Sequence, residues 1–223
     1  MLNFINKIII VSLLVCMISC SESANNKLFE GKVIYVNNFD CYHPKKTSDY
    51  YKGIYGDTVI IYLKDGDYHQ KYNSKAEDGI KSLTYDASKN LAYLRTNLND
   101  SIQSFYCEED PSKRILQRIH ESTTIEVLGK KCMKLSFESE FSGYSKSNLQ
   151  NTYYYSTDTL ALNKNQFDKH SMSYLNRLGT EGYFYLIYEF TDYETHKRTQ
   201  TAINIFEEQV DTNLFYIDES LLR

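Results

Sequence analysis

Cys20 is the residue whose setting most clearly calls for chemistry. It ends the tetrapeptide Met17-Ile18-Ser19-Cys20, directly after the apolar run from Ile8 to Ile18, and polar Ser21-Glu22-Ser23 follows it. A short basic segment ending at Lys7, an apolar run and a small residue before a cysteine together read as an export signal. In such a signal the leader is cut and the cysteine thiol takes up a diacylglycerol. A membrane-spanning helix needs roughly 20 apolar residues, so this run is too short to span and suits a signal segment. The expected division is residues 1–19 as lipoprotein signal peptide, 20–27 as lipidated N-terminus and short tether, and 28–223 as a single β-rich domain. Ordinary cleavage a few residues later, after Ser23, would instead leave a soluble secreted chain.

Elsewhere the chemistry-bearing residues are scattered. The five histidines, His43, His69, His120, His170 and His196, show no HExxH or paired spacing, so no metal site is expected. There is no GxSxG elbow, no GxxxxGK[ST] phosphate loop and no GxGxxG fingerprint. The acidic pairs Glu108-Glu109 and Glu207-Glu208 fall near strand ends, where adjacent residues point to opposite faces and cannot act together. No catalytic residue and no cofactor is therefore assigned, and the chain is read as non-enzymatic. Beyond Cys20, the cysteines Cys41, Cys107 and Cys132 follow the leader, an odd number that allows at most one bridge. Cys107 with Cys132 is the preferred pair; Cys41 joining one of them, or three buried thiols, are the alternatives. Tyrosine is abundant, with 21 residues. Tyr153 and Tyr155 are expected on one strand face, and Tyr183 and Tyr185 likewise. Their apolar rings with polar tips suit an amphipathic ligand or partner surface, and equally suit cross-strand core packing.

These residues need a scaffold, and the pattern predicts strands. Tyr, Ile, Val, Thr and Phe favour a pleated, half-buried surface. Phe29 to Val36 starts as alternation. Thr58 to Leu63 and Tyr68 to Tyr72 flank Lys64-Asp65-Gly66-Asp67, and Asp-Gly suits a tight hairpin turn. Ser82 to Tyr85 and Leu91 to Thr96 form a second expected hairpin, and Ile102 to Cys107 follows a turn signal. Ile115 to His120 reads as strand or helical turn. Thr123 to Val127 and Lys131 to Phe137 flank Leu128-Gly129-Lys130. Asn151 to Ser156, Gly182 to Phe190 and Thr199 to Phe206 complete the set. One helix is predicted over Asn163 to Leu178, with Gly179 past its end, and a short helical piece over Ser74 to Gly79. Many short strands with local turns imply one large antiparallel sheet that curls, because long open edges invite aggregation. With 2 prolines, 9 glycines and a formal net charge of −4, neither disorder nor nucleic-acid binding is expected.

The order of several segments resembles a known group. These are Phe29-Glu30-Gly31-Lys32-Val33-Ile34-Tyr35, Thr124 to Leu135 (TIEVLGKKCMKL), Tyr153-Tyr154-Tyr155-Ser156 and Thr201-Ala202-Ile203-Asn204-Ile205, followed by Val210-Asp211 and Leu214 to Ile217. Together they resemble uncharacterised Bacteroidetes lipoproteins of the LolA/LolB-like superfamily, including the GLPGLI-related proteins, over roughly residues 29–217. The hexapeptide of that subgroup is absent; Leu178-Gly179-Thr180-Glu181-Gly182-Tyr183 stands in its place. The resemblance implies a mainly β, α+β fold. Its strongly curved antiparallel sheet would form an unclosed half-barrel with one or two helices against the concave face, where LolA-type members hold lipid or acyl chains. The expectation is an envelope lipoprotein, anchored to the outer membrane through Cys20, that binds a lipid-like or hydrophobic ligand. A module docking another envelope protein and a glycan-binding surface lipoprotein are the alternatives.

Overall fold

The computed structural model describes residues 28–98, 101–108, 113–141 and 147–223; the expected signal segment, Cys20 and the tether lie outside them. The described residues form eleven strands: β1 (Gly31–Cys41), β2 (Thr58–Lys64), β3 (Asp67–Tyr72), β4 (Ile80–Asp86), β5 (Leu91–Thr96), β6 (Ile102–Tyr106), β7 (Lys113–Val127), β8 (Lys130–Phe141), β9 (Ser147–Tyr155), β10 (Tyr185–Asp192) and β11 (His196–Glu207). Two short α-helices join them, α1 (Ser48–Tyr55) and α2 (Leu175–Gly179).

All strands belong to one antiparallel sheet in the order β6-β5-β4-β3-β2-β1-β11-β10-β9-β8-β7. Two meanders meet where β1 pairs with β11, so the first strand sits in the middle of the sheet. The edges are β6 and β7, which are consecutive in sequence. Only residues 107–112 separate Tyr106 from Lys113, a link that spans at most about 25 Å fully extended. Eleven strands laid flat would set their edges about 48 Å apart. The sheet therefore curls into an open half-barrel, as the fold expectation requires.

Alternation decides what faces the concavity. Val33, Tyr35, Asn37 and Phe39 of β1 are buried, as are Val59, Ile61 and Leu63 of β2, and the register stacks these rows across the sheet. The Asp65-Gly66 turn between β2 and β3 has φ of 50° and 94°, the left-handed pair that a two-residue hairpin needs. Leu128-Gly129 repeats this between β7 and β8. The separate pieces expected at 115–120 and 123–127 are one strand, β7, which stays continuous because bulges near Ile115/Gln117 and Ser122/Glu126 absorb the extra residues.

Three expectations are corrected. Residues 163–178 do not form one helix: turns lead to a single 3-10 turn (Met172–Tyr174) and then α2. Ser173 and Tyr174 adopt φ of 54° and 63°, which no α-helix continues through. The segment bends there because its side chains are drawn into separate places on the sheet. Tyr174 stacks on Phe137 of β8 at 4.7 Å, while Phe167 lies 6.1 Å from Tyr85 of β4. The stretch Ser74 to Gly79 is a turn-rich loop tied down by Asn97, whose Nδ2 donates to Ser74 Oγ and Ala76 O. Finally, Cys107 and Cys132 are not bridged; both are buried free thiols, and Cys41 is free as well. Cys107 follows edge strand β6 and Cys132 lies on β8, beside the opposite edge.

Helix α1, only 8 residues long, was not anticipated. Thr47 caps it, its Oγ1 accepting from Tyr50 N at 3.3 Å. Gly56 ends it with φ 73° and ψ 163°, a conformation essentially confined to glycine. Asn37 of β1 then donates to the carbonyls of Tyr55 and Gly56, which fixes the end of α1 over the concavity. The chain beyond β11 crosses the convex side, where Arg223 N donates to Ile102 O.

Two glycines three residues apart are expected to respond oppositely to alanine. At Gly56 a Cβ would lie 2.6 Å from Asn73 backbone carbon, so Gly56→Ala should cost about 3 kcal/mol. At Gly53, inside α1, a Cβ meets nothing closer than 3.4 Å, so Gly53→Ala should be neutral or add up to about 1 kcal/mol. Urea unfolding midpoints of the two variants measure both. Titrating the unfolded, non-reduced protein with a thiol reagent should find Cys41, Cys107 and Cys132 all reactive; a missing pair would restore the bridge.

Candidate functional site

The concave face is not completely filled. Between the sheet and the segment running from His170 into α2 lies a cavity of about 240 Å³. For scale, an apolar cavity of about 150 Å³ is large enough to hold benzene. One flank is apolar, formed by Ile80 and Leu83 of β4, Leu94 of β5 and Phe105 of β6. The opposite flank, from β9 to β11, carries Tyr153, Tyr185, Tyr188, Arg198 and Gln200. Register explains the grouping: Tyr188 faces Tyr153 on one side and Gln200 on the other, so one inward row crosses three strands.

The tyrosine rings support one another. Tyr153 and Tyr188 stack at 4.9 Å, Tyr153 and Tyr185 lie 5.6 Å apart, and Phe184 stacks on Tyr185 at 4.3 Å. Their polar tips are used. Tyr153 donates to Ser173 O at 2.5 Å, which ties β9 to the covering segment, and Tyr188 donates to Asn151 Oδ1 at 2.8 Å. Tyr35, fully buried in β1, donates to Tyr185 O at 2.7 Å, joining the central strand to the start of β10. Burial pushes the Tyr153 and Tyr185 phenols well above their usual range, so both are neutral hydroxyls at physiological pH.

The four tyrosines singled out from the sequence divide two and two. Tyr153 and Tyr185 line the cavity. Tyr155 and Tyr183 stack on each other at 6.1 Å outside it, and Tyr155 Oη bonds to His120 Nε2 at 3.0 Å and Glu181 Oε2 at 3.1 Å. Tyr183 precedes β10, which begins at Tyr185 with an irregular register, so the alternation assumed for residues 183 and 185 does not extend to Tyr183.

Arg198 and Gln200 were missed. Two residues apart on β11, they share the inward face. The strand was expected to begin only at Thr199; carried three residues further back, alternation places His196, Arg198 and Gln200 on the same face as Ala202. Such a polar row on a buried face was the available signal. The Arg198 guanidinium lies 4.7 Å from the centre of the Tyr55 ring, brought there by the end of α1, and 5.7 Å from Tyr188. Both are within cation–π range. Its charge is felt next door: His196 is held down to about 4, first by burial and then by Arg198.

His170 closes one side of the cavity. Its Nε2 lies 2.8 Å from Tyr68 Oη and its ring meets Tyr85 edge-on at 4.4 Å. Burial holds it down to about 4, so it is neutral at pH 7. Among the described residues no three His, Cys, Asp or Glu side chains converge to hold a metal ion. The arrangement supplies shape, aromatic surface and the Arg198 cation.

No family model matches the chain. A search of curated proteins also returns no match.

Because the His170 pKa lies below its unfolded value, the unfolded chain binds more protons between about pH 6.5 and 4. Stability is therefore complete above that window and falls as pH drops through it. His170 alone should remove about 2 kcal/mol between pH 7 and pH 5. His170→Gln, which retains an acceptor for Tyr68, should lessen the pH dependence by that amount. Urea unfolding at the two pH values decides this; an unchanged difference would mean His170 titrates normally.

Proposed function

We propose that the chain is a non-enzymatic envelope lipoprotein, held on a membrane through lipid on Cys20, whose half-barrel binds a small hydrophobic or amphipathic ligand on its concave face. The observation that carries this reading is the cavity itself. It is a partly open hollow on the concave face, lined by aromatic and aliphatic side chains with a small number of polar groups, the usual make-up of a ligand pocket. The resemblance to LolA/LolB-like lipoproteins, whose concavity takes lipid or acyl chains, points the same way. The pattern around Cys20 supports the anchor and, with the resemblance, the outer membrane as its location.

A docking role for a protein partner draws on a different observation. Edge strand β7 exposes Ile115, Leu116 and Ile125, and an open apolar edge is a template for another chain.

Mass spectrometry of organic extracts tests the choice, using residues 28–223 purified without detergent. A recurrent, stoichiometric small hydrophobic molecule absent from a mock purification is the expected result. An empty extract, repeated after incubation with envelope lipids, would overturn the carrier reading in favour of docking through β7.

A further inference from the structure

The polar groups of the cavity specify the charge of its guest, an inference that rests on the cavity being a binding site. Arg198 brings a full positive charge into the concavity, yet among the described residues no carboxylate lies within ion-pair distance of it. Among the described residues no acidic side chain lines the cavity. Among the described residues the Arg198 Nε–H has no hydrogen-bond partner, and neither has the Nε2 amide of Gln200, a residue only 2 % exposed. Buried donors are almost always satisfied, and one left without an acceptor costs stability. The two donors belong to residues two apart on one strand face, both lining the cavity, and among the described residues neither donor has an acceptor.

The cation is also held in place. Tyr55 and Tyr188 flank the guanidinium, and Tyr55 is fixed through the Asn37 bonds to the end of α1. A planar guanidinium fork with an adjacent amide matches the two oxygens of a carboxylate. One positive charge balances one negative charge; a phosphate dianion would leave excess charge in an aromatic pocket. Across the cavity, Leu83, Leu94 and Phe105 offer no polar atom to a ligand.

We propose that the cavity takes an amphiphile with a single carboxylate head, the head bound by Arg198 and Gln200 and the apolar tail lying against Leu83, Leu94 and Phe105. The carboxylate accepts from the donors that the protein leaves open, and the tail covers the aliphatic flank.

Calorimetric titration of the full chain in lipid nanodiscs tests this, with empty nanodiscs subtracted and octanoate, octanol, octylamine and octyl phosphate as probes. Octanoate should bind at least tenfold more tightly than octanol, and octylamine most weakly. Arg198→Gln should bring octanoate down to the level of octanol, and Arg198→Lys should keep part of the preference. If Arg198→Gln does not fold, Gln200→Leu should shift octanoate in the same direction, and the octanoate-to-octanol ratio of the unaltered chain still decides. Equal binding of octanoate and octanol would overturn the carboxylate site while leaving a hydrophobic pocket in place. Tighter binding of octyl phosphate than of octanoate would overturn the choice of head group. Failure of all four probes to bind would remove the binding reading itself.

Discussion

The two edge strands of this sheet, β6 and β7, are neighbours in sequence, and the short stretch between them cannot reach across a flat sheet of eleven strands. Curvature is thus imposed by connectivity, and much of the architecture follows from it. A curled sheet has one face that converges, and side chains from strands far apart in the ladder meet there. Tyr68 of β3, Tyr35 of β1 and Tyr185 of β10 belong to one core cluster for this reason. On a flat sheet their rows would not meet.

Convergence of large aromatic rings creates a second constraint. Tyr is wide and carries a hydroxyl that must find a partner once buried. The covering segment meets that need in part: Ser173 O accepts from Tyr153, and His170 pairs with Tyr68. To place those groups the chain gives up helical continuity at Ser173 and Tyr174. The irregular lid and the incomplete filling beneath it are two sides of one compromise between ring packing and backbone geometry. Arg198 stands at the margin of this packing, flanked by ring faces with no carboxylate near it among the described residues. That combination gives the concavity a chemical polarity as well as a shape.

Local chemistry was legible wherever the cause is local. Period-two alternation and paired left-handed turn residues, as at Asp65-Gly66, put nearly every strand where it is found, and tyrosine-rich composition indicated the fold class. The helix over residues 163–178 was misread because its spacing of Phe167, Tyr174, Leu175 and Leu178 fits a helix as well as it fits separate anchor points on a sheet. Helix α1 was missed because it is only 8 residues long and buries Tyr51 alone; its ends are set by the Thr47 cap, by Gly56 and by Asn37.

By itself the sequence determined which residues pair with near neighbours in hairpins, that the strands build one β-rich fold, and that Tyr153 and Tyr185 are inward candidates; those outcomes depend on interactions within a few residues. Only the tertiary structure decided that β1 pairs with β11, that Cys107 and Cys132 stay apart, and that Tyr155 and Tyr183 leave the cavity. It alone brought Arg198, Gln200 and Tyr55 together. Each of these outcomes depends on the order of strands in the sheet and on its curvature, and strand order is set by contacts between segments more than 170 residues apart, such as Val33 with Ile205, which no local pattern encodes.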